Sequence, residues 1–264
     1  MSRPDDQQYW AQLWRETGIS LTSGDVYYYM DIIKRDYANA LMPRGSRCIE
    51  IGAGSGRLSA LLGLNGHQLT CLDYTVEALQ SARRNFAFAQ VTADFVRGDA
   101  FALPFADCTF DAVFSTGLLE HFTDPTPVII EMVRILKPDG VFFSDIVPEQ
   151  FSLLRALDFL RPGMGVIERS FTRCEITDLL VGSGLDEVAV FPAGVFPTLW
   201  VPFLFRSKRY QRWHGRFVGT TLPLWRWLDN TWVAEKLGFY WFCHGRKSAK
   251  ACDAVTTSNH ASPR

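Results

Sequence analysis

Apolar positions along this chain alternate between two rhythms. The runs 47–51, 68–73, 93–97, 110–115 and 141–147 are short and rich in Val, Ile, Leu and Phe, as strands are. Between them, 55–65, 75–87 and 125–136 repeat their apolar residues every three or four positions, as helices do. Such alternation predicts a parallel sheet with helices on both faces. Ala112-Val113-Phe114 and Val141-Phe142-Phe143 are apolar on both sides, which a doubly covered sheet requires. Two helices, 7–18 and 25–41, precede the first strand and form an N-terminal cap. A helix at 172–182 leads into a strand at 185–191, and 238–246 makes the last strand.

One stretch breaks the pattern. Residues 192–237 hold tryptophans at 200, 213, 225, 227 and 232, and prolines at 192, 197, 202 and 223 cut the stretch into short pieces. Within 200–236 there are seven Lys or Arg against Asp229 and Glu235, although the whole chain carries a formal charge of −1. A near-neutral chain has no global field for nucleic acid, so any basic patch acts locally. Three readings fit this segment: a lid over a lipophilic acceptor, an interfacial contact with anionic lipid, or a helical pair burying its aromatics. The tail 248–264 is polar and aperiodic, which predicts disorder. The expected layout is a cap over 1–44, a core over 45–192 and 237–247, and an insertion over 193–236.

No apolar run reaches membrane-spanning length, and the N-terminus lacks a charged-then-apolar signal pattern. That predicts a cytoplasmic protein, with peripheral contact on the inner membrane face through 200–236 only under the interfacial reading of that segment. The six cysteines are scattered, with no C-x-x-C pair, which predicts reduced thiols and no metal site.

The chemistry concentrates where the first strand ends. Glu50-Ile51-Gly52-Ala53-Gly54-Ser55-Gly56-Arg57 breaks a strand into a glycine loop that opens a helix. Glycines there turn tightly and let a ligand approach the backbone closely. Asp73 ends the second strand, placed to accept both hydroxyls of a ribose, and Asp99 with the Ala100 amide is placed to read an adenine edge. A dinucleotide fingerprint needs a third glycine where Arg57 stands, and Glu50 would repel a pyrophosphate. The ligand is therefore read as a nucleoside carrying a cation.

Four segments then carry a resemblance: E-I-G-A-G-S-G-R at 50–57, L-D-Y at 72–74, G-D-A-F-A-L-P-F-A-D-C-T-F-D-A-V-F at 98–114, and L-L-E-H-F-T-D at 118–124 followed by E-M-V-R-I-L-K-P-D-G at 131–140. Over residues 46–147 the chain resembles the class I S-adenosylmethionine-dependent methyltransferases, the broad group that includes the ubiquinone and menaquinone biosynthesis enzymes. The family's Lys-Pro-Gly-Gly turn reads Lys137-Pro138-Asp139-Gly140 here, and the likeness fades after residue 190. The resemblance implies an α/β, doubly wound, seven-stranded Rossmann-like sheet whose last strand is antiparallel. It implies S-adenosyl-L-methionine as cofactor, with Glu50, Gly52, Ala53, Gly54 and Gly56 at the methionine part, Asp73 at the ribose and Tyr74 beside the adenine. Asp99 and Ala100 would read the adenine edge, and Ser115, Thr116, Gly117 and Leu118 would line the floor.

The activity expected is methyl transfer to oxygen or carbon of a small lipophilic or aromatic acceptor. His121 is the candidate base, against the reading that Glu120 and His121 order their loop. Asp107 and Asp111 are read as structural. Asp145 is read as a solvated strand end, with an acceptor-facing role as the other reading. Tyr27, Tyr28 and Tyr29 are placed either over the sulfonium or in helix packing. Two other functional classes stay open, a dinucleotide-dependent oxidoreductase and a non-catalytic cofactor-binding protein that docks on membranes. Calorimetry against both cofactors separates the first, and turnover on extract fractions the second.

Overall fold

The computed structural model describes residues 4–16, 21, 26–146, 169–195, 207–238 and 240–248. Trp200, the prolines at 197 and 202, the Tyr27 side chain and the polar tail lie outside the described residues.

Helices α1 (Pro4–Glu16) and α2 (Val26–Leu41) precede β1 (Arg47–Ile51). The chain then alternates through α3 (Arg57–Leu64), β2 (Gln68–Asp73), α4 (Val76–Ala89), β3 (Ala93–Arg97), β4 (Phe110–Thr116), α5 (Thr126–Ile135) and β5 (Leu136–Ile146). It continues with α6 (Arg173–Gly182), β6 (Leu185–Ala193), α7 (Lys208–Arg226), α8 (Trp232–Leu237) and β7 (Tyr240–Lys247). The strands form one seven-stranded sheet in the order β3-β2-β1-β4-β5-β7-β6. Neighbours from β3 to β5 are parallel, and β7 runs antiparallel between β5 and β6. The switch point lies between β1 and β4, where chain order reverses and α/β sheets open a crevice beyond the strand ends.

Period-two alternation divides the core. Cys48, Phe114 and Phe143 face Ile33 of α2, Leu58 and Leu62 of α3 and Val218 of α7. Their neighbours Ile49, Val113 and Phe142 face Val128 and Met132 of α5 and Ile176 and Leu180 of α6. Local caps set helix starts: the Thr75 hydroxyl accepts from the Ala78 amide, and Thr172 with Glu175 forms a capping box on α6.

Two elements differ from the pattern reading. The turn 137–140 lies within β5, looped out between Leu136, which pairs with Phe110, and Val141, which pairs with Ala112. Asp139 takes a φ of 59°, the left-handed conformation that a glycine turn would supply. Residues 208–226 are not cut at Pro223 but form one 19-residue helix. Proline removes an amide and crowds the carbonyl four residues back. That residue is Gly219, and the Thr220 and Thr221 hydroxyls donate to the carbonyls of Arg216 and Phe217 just before it.

Candidate active site

The C-terminal ends of the strands open into a cavity of about 1130 Å³. Its floor is the loop from β1 to α3. Gly52 and Gly54 have φ of 66° and 53°, and both make approaches that no side chain would permit. A Cβ at Gly52 would come within 2.7 Å of Leu118 Cδ1, and one at Gly54 within 2.5 Å of the Trp14 ring. Three of the loop's amides are committed inside the protein. Ala53 donates to the Leu72 carbonyl at 2.9 Å, Gly56 to the Ala53 carbonyl at 2.7 Å, and Gly54 to Asp73 Oδ2 at 3.0 Å. A pyrophosphate cradle needs N–H groups pointing at the ligand, and these three point inward.

Asp73 organises that loop. Its Oδ1 accepts from both the Thr75 amide and the Thr75 hydroxyl at 2.9 Å. Burial raises its pKa, and the amides of Thr75 and Gly54 pull it back. Glu50 is 1% exposed. Ser59 donates to its Oε2 at 2.5 Å and Thr116 to its Oε1 at 2.9 Å. Burial outweighs these bonds and pushes the carboxyl up to about 7. A cationic ligand beside it would restore the anion, so the donor set fits an ammonium or sulfonium.

Residues flagged by sequence converge here with two exceptions, Gly56 and Ser115. Glu50, Gly52, Ala53, Gly54, Asp73, Tyr74, Asp99, Ala100, Thr116, Gly117 and His121 all line the cavity. Gly56 lies behind it, where a Cβ would come within 3.0 Å of Ala82. Asp99 is exposed and turns Oδ1 back onto the Phe101 amide at 3.0 Å. Ser115 is the correction: its side chain is fully buried against Ser144, with the hydroxyls 3.0 Å apart. Alternation on β4 sends Thr116 to the cavity and Ser115 away from it.

The aromatic cover also differs. Tyr28 and Tyr29 pack against the core under α7 rather than in the cavity wall, and Trp10, Trp14 and Tyr240 line it instead. The Trp10 ring meets His121 edge-on at 4.9 Å. Arg15 ties α1 to Glu77 at 2.8 Å, so α1 lies across the loop.

A charged wall completes the site. Asp145 is no solvated strand end: it sits inside β5, is 2% exposed and pairs with Lys34 of α2 at 2.9 Å. Lys34 Nζ also lies 4.6 Å from the centre of the Tyr240 ring. Burial raises the Asp145 pKa while Lys34 opposes the rise, and Asp145 in turn holds Lys34 protonated. Asp145 Oδ1 is buried with no hydrogen-bond partner among the described residues. Beside this pair, Arg57 Nε reaches Asp31 Oδ2 at 2.7 Å. Asp31, Lys34 and Arg57 escaped sequence reasoning because nothing local ties α2 to the strand ends; i, i+3 spacing of Asp31 and Lys34 on a helix face was the available signal.

Comparisons with known proteins agree with this geometry. Residues 49–144 match the family model described as "Methyltransferase domain". A demethylmenaquinone methyltransferase from Renibacterium salmoninarum is 35% identical over 96 residues, 36% of this chain and 39% of that protein. A ubiquinone biosynthesis O-methyltransferase from Xanthomonas oryzae pv. oryzae is 33% identical over 126 residues, 46% of this chain and 53% of that protein. The matches thus span about half or less of these relatives' lengths. A solved SAM-dependent methyltransferase from Thermotoga maritima superposes with a TM-score of 0.58 at 18% identity, covering 92% of this chain and 95% of that one. The domain and the fold imply S-adenosyl-L-methionine as the cofactor. Residues 49–144 thus match the methyltransferase-domain family, set in a sheet with the fold of the S-adenosylmethionine-dependent methyltransferases.

Proposed function

We propose that this protein transfers a methyl group from S-adenosylmethionine to a hydroxyl, or an activated carbon, of a small lipophilic acceptor. The observation that carries this is one cavity that gathers two sets of groups. One set, Glu50, the glycine loop, Asp73, Tyr74, Asp99 and Ala100, meets the demands of a cationic methionine and an adenosine. The other, Lys34, Asp145, Tyr240 and His121, is read as facing the acceptor.

Bound S-adenosylmethionine supplies an electrophilic methyl group on a sulfonium. The protein's share is placement, which in favourable cases lowers a barrier by about 7–11 kcal/mol. Glu50 holds the amino group, Asp73 keeps Gly54 in register while meeting the ribose, and Asp99 orients the adenine. Asp145 Oδ1 accepts the acceptor's hydroxyl proton or hydrogen bond, and Lys34 opposes the rise that burial imposes on that carboxyl's pKa. His121 is the second candidate for the proton. Trp10, Phe101, Leu118 and Phe122 give the wall an apolar character suited to a lipophilic acceptor. The quinone acceptors named in the two relatives are of that class.

Labelled-methyl transfer into a cell extract, followed by mass spectrometry of the product, tests the reading. A labelled lipophilic product is expected; label confined to protein or RNA would refute the acceptor class. On that product's precursor, Asp145→Asn is expected to raise KM or lower kcat while leaving S-adenosylhomocysteine affinity unchanged. A loss of that affinity would move Asp145 to the donor set.

A further inference from the structure

Helix α7 is sealed on one side and open on the other. His214, Val218 and Leu222 are buried, and Gly219 lets the Tyr29 ring press directly on the helix backbone. The opposite face runs through Arg209, Arg212, Trp213, Arg216, Thr220, Leu224 and Trp227, spaced three and four apart and all exposed. Trp213 is 53% exposed, Leu224 71%, Trp227 82% and, at the start of α8, Trp232 75%. Isolated exposed apolar residues are ordinary, but a cluster rimmed by cations marks an interaction surface.

The charges on this face are unneutralised. Arg209, Arg212 and Arg216 have no ion-pair partner among the described residues. Both nearby acids are turned elsewhere. Asp229 accepts from the Gly194 amide and the Tyr37 hydroxyl, and Glu235 faces Arg173. The chain as a whole is at −1, so these cations are concentrated rather than spread. No helix among the described residues is long and apolar enough to cross a membrane.

We infer that this face lies flat on an anionic phospholipid surface, with Leu224, Trp227 and Trp232 entering the headgroup boundary and the three arginines on the phosphates. Tryptophan and arginine suit that boundary because each joins an apolar body to a polar end. A twofold contact with a second copy fits less well, since it would bring the three arginines toward their own equivalents. Helix α2 lies between this face and the cavity: Tyr29 and Asp36 meet α7, while Asp31 and Lys34 line the cavity. The lipid surface would thus sit one helix away from the cavity.

Sedimentation of the full chain with phosphatidylcholine vesicles, with and without phosphatidylglycerol, tests this without any cofactor or methyl acceptor. The chain is expected to pellet with the phosphatidylglycerol vesicles, to be released by salt, and to shift its tryptophan emission to the blue. Arg209→Glu/Arg212→Glu/Arg216→Glu is expected to weaken partition by at least about a hundredfold, as three surface cations near an anionic leaflet imply. Leu224→Ser/Trp227→Ser is expected to abolish the emission shift. All five positions are exposed, and circular dichroism checks that the variants stay folded. No pelleting with anionic vesicles would overturn the proposal. So would a dimer dissolved by these variants, or binding of an RNA homopolymer without vesicle binding.

Discussion

Glu50 is a buried carboxyl at the mouth of the glycine loop, held by Ser59 and Thr116. Burial raises it from 4.5 to about 7, so the folded protein holds a proton there that the unfolded chain has already lost. This group's contribution is therefore fully present below 4.5, declines as pH rises, and is gone above about 7; the swing is about 3 kcal/mol. Urea unfolding of the ligand-free protein is expected to show that decline, and Glu50→Gln to flatten it. S-adenosylhomocysteine, whose amino group favours the ionised carboxylate, is expected to bind more tightly as pH rises toward 7 in the wild type but not in Glu50→Gln. A flat wild-type profile would contradict the cation-holding role. The Lys34–Asp145 pair is the other buried charge at this scale. Removing one partner is expected to cost about 3–5 kcal/mol, whereas Lys34→Met/Asp145→Leu should cost much less, since a well-packed apolar pair often equals a buried ion pair. Equal losses in the single and double variants by denaturant titration would mean that packing, not charge, holds α2 to β5. Glu50, Asp73 and Asp99 were legible in the sequence because each sits at a fixed distance from a strand end. Asp145 was flagged with an acceptor-facing role only as its second reading and Lys34 not at all, because their meeting depends on how α2 crosses the sheet.

At the scale of elements, α1 is the part whose role the sequence left most open. Its Trp14 lies on Gly54 and its Trp10 on His121. The helix thereby covers the cavity from the glycine loop to His121. Trp14→Ala is expected to speed S-adenosylhomocysteine release by roughly tenfold, as losing about 1.4 kcal/mol of cover would; stopped-flow displacement measures it, and an unchanged rate would make α1 a bystander. Gly54→Ala forces a side chain into a left-handed position at about 1–2 kcal/mol, and also into the Trp14 ring. Combined with Trp14→Ala, the steric share of that cost should vanish while the backbone share stays, a coupling that a double-mutant cycle reads out. The strand and helix periods were readable for the parallel half, where both sheet faces are apolar. The α7 helix was misjudged at Pro223 because the proline was read as a break, whereas packing of the buried face around Val218 and Leu222 carries the helix through it. Ser115 was misjudged because a motif was carried over as a block, while strand alternation turns every second side chain away.

For the whole molecule, the division of labour follows the sheet. The half containing β1 to β5 supplies most of the cavity's lining and carries the family likeness. The half built from α6, β6, α7, α8 and β7 brings Tyr240 to the cavity and turns its tryptophans and arginines outward. That half lies largely beyond the matched residues 49–144. Its substrate choice therefore had no readable motif; aromatic and basic composition was the only signal. The central claim is that the cavity is built for adenosine bearing a cationic methionine rather than for a dinucleotide. Titration calorimetry of the wild type and Asp73→Ala against S-adenosylhomocysteine and NADH tests it most directly. Micromolar binding of S-adenosylhomocysteine, strongly weakened in Asp73→Ala, with no heat from NADH, is the predicted result. Micromolar binding of NADH without binding of S-adenosylhomocysteine would contradict it.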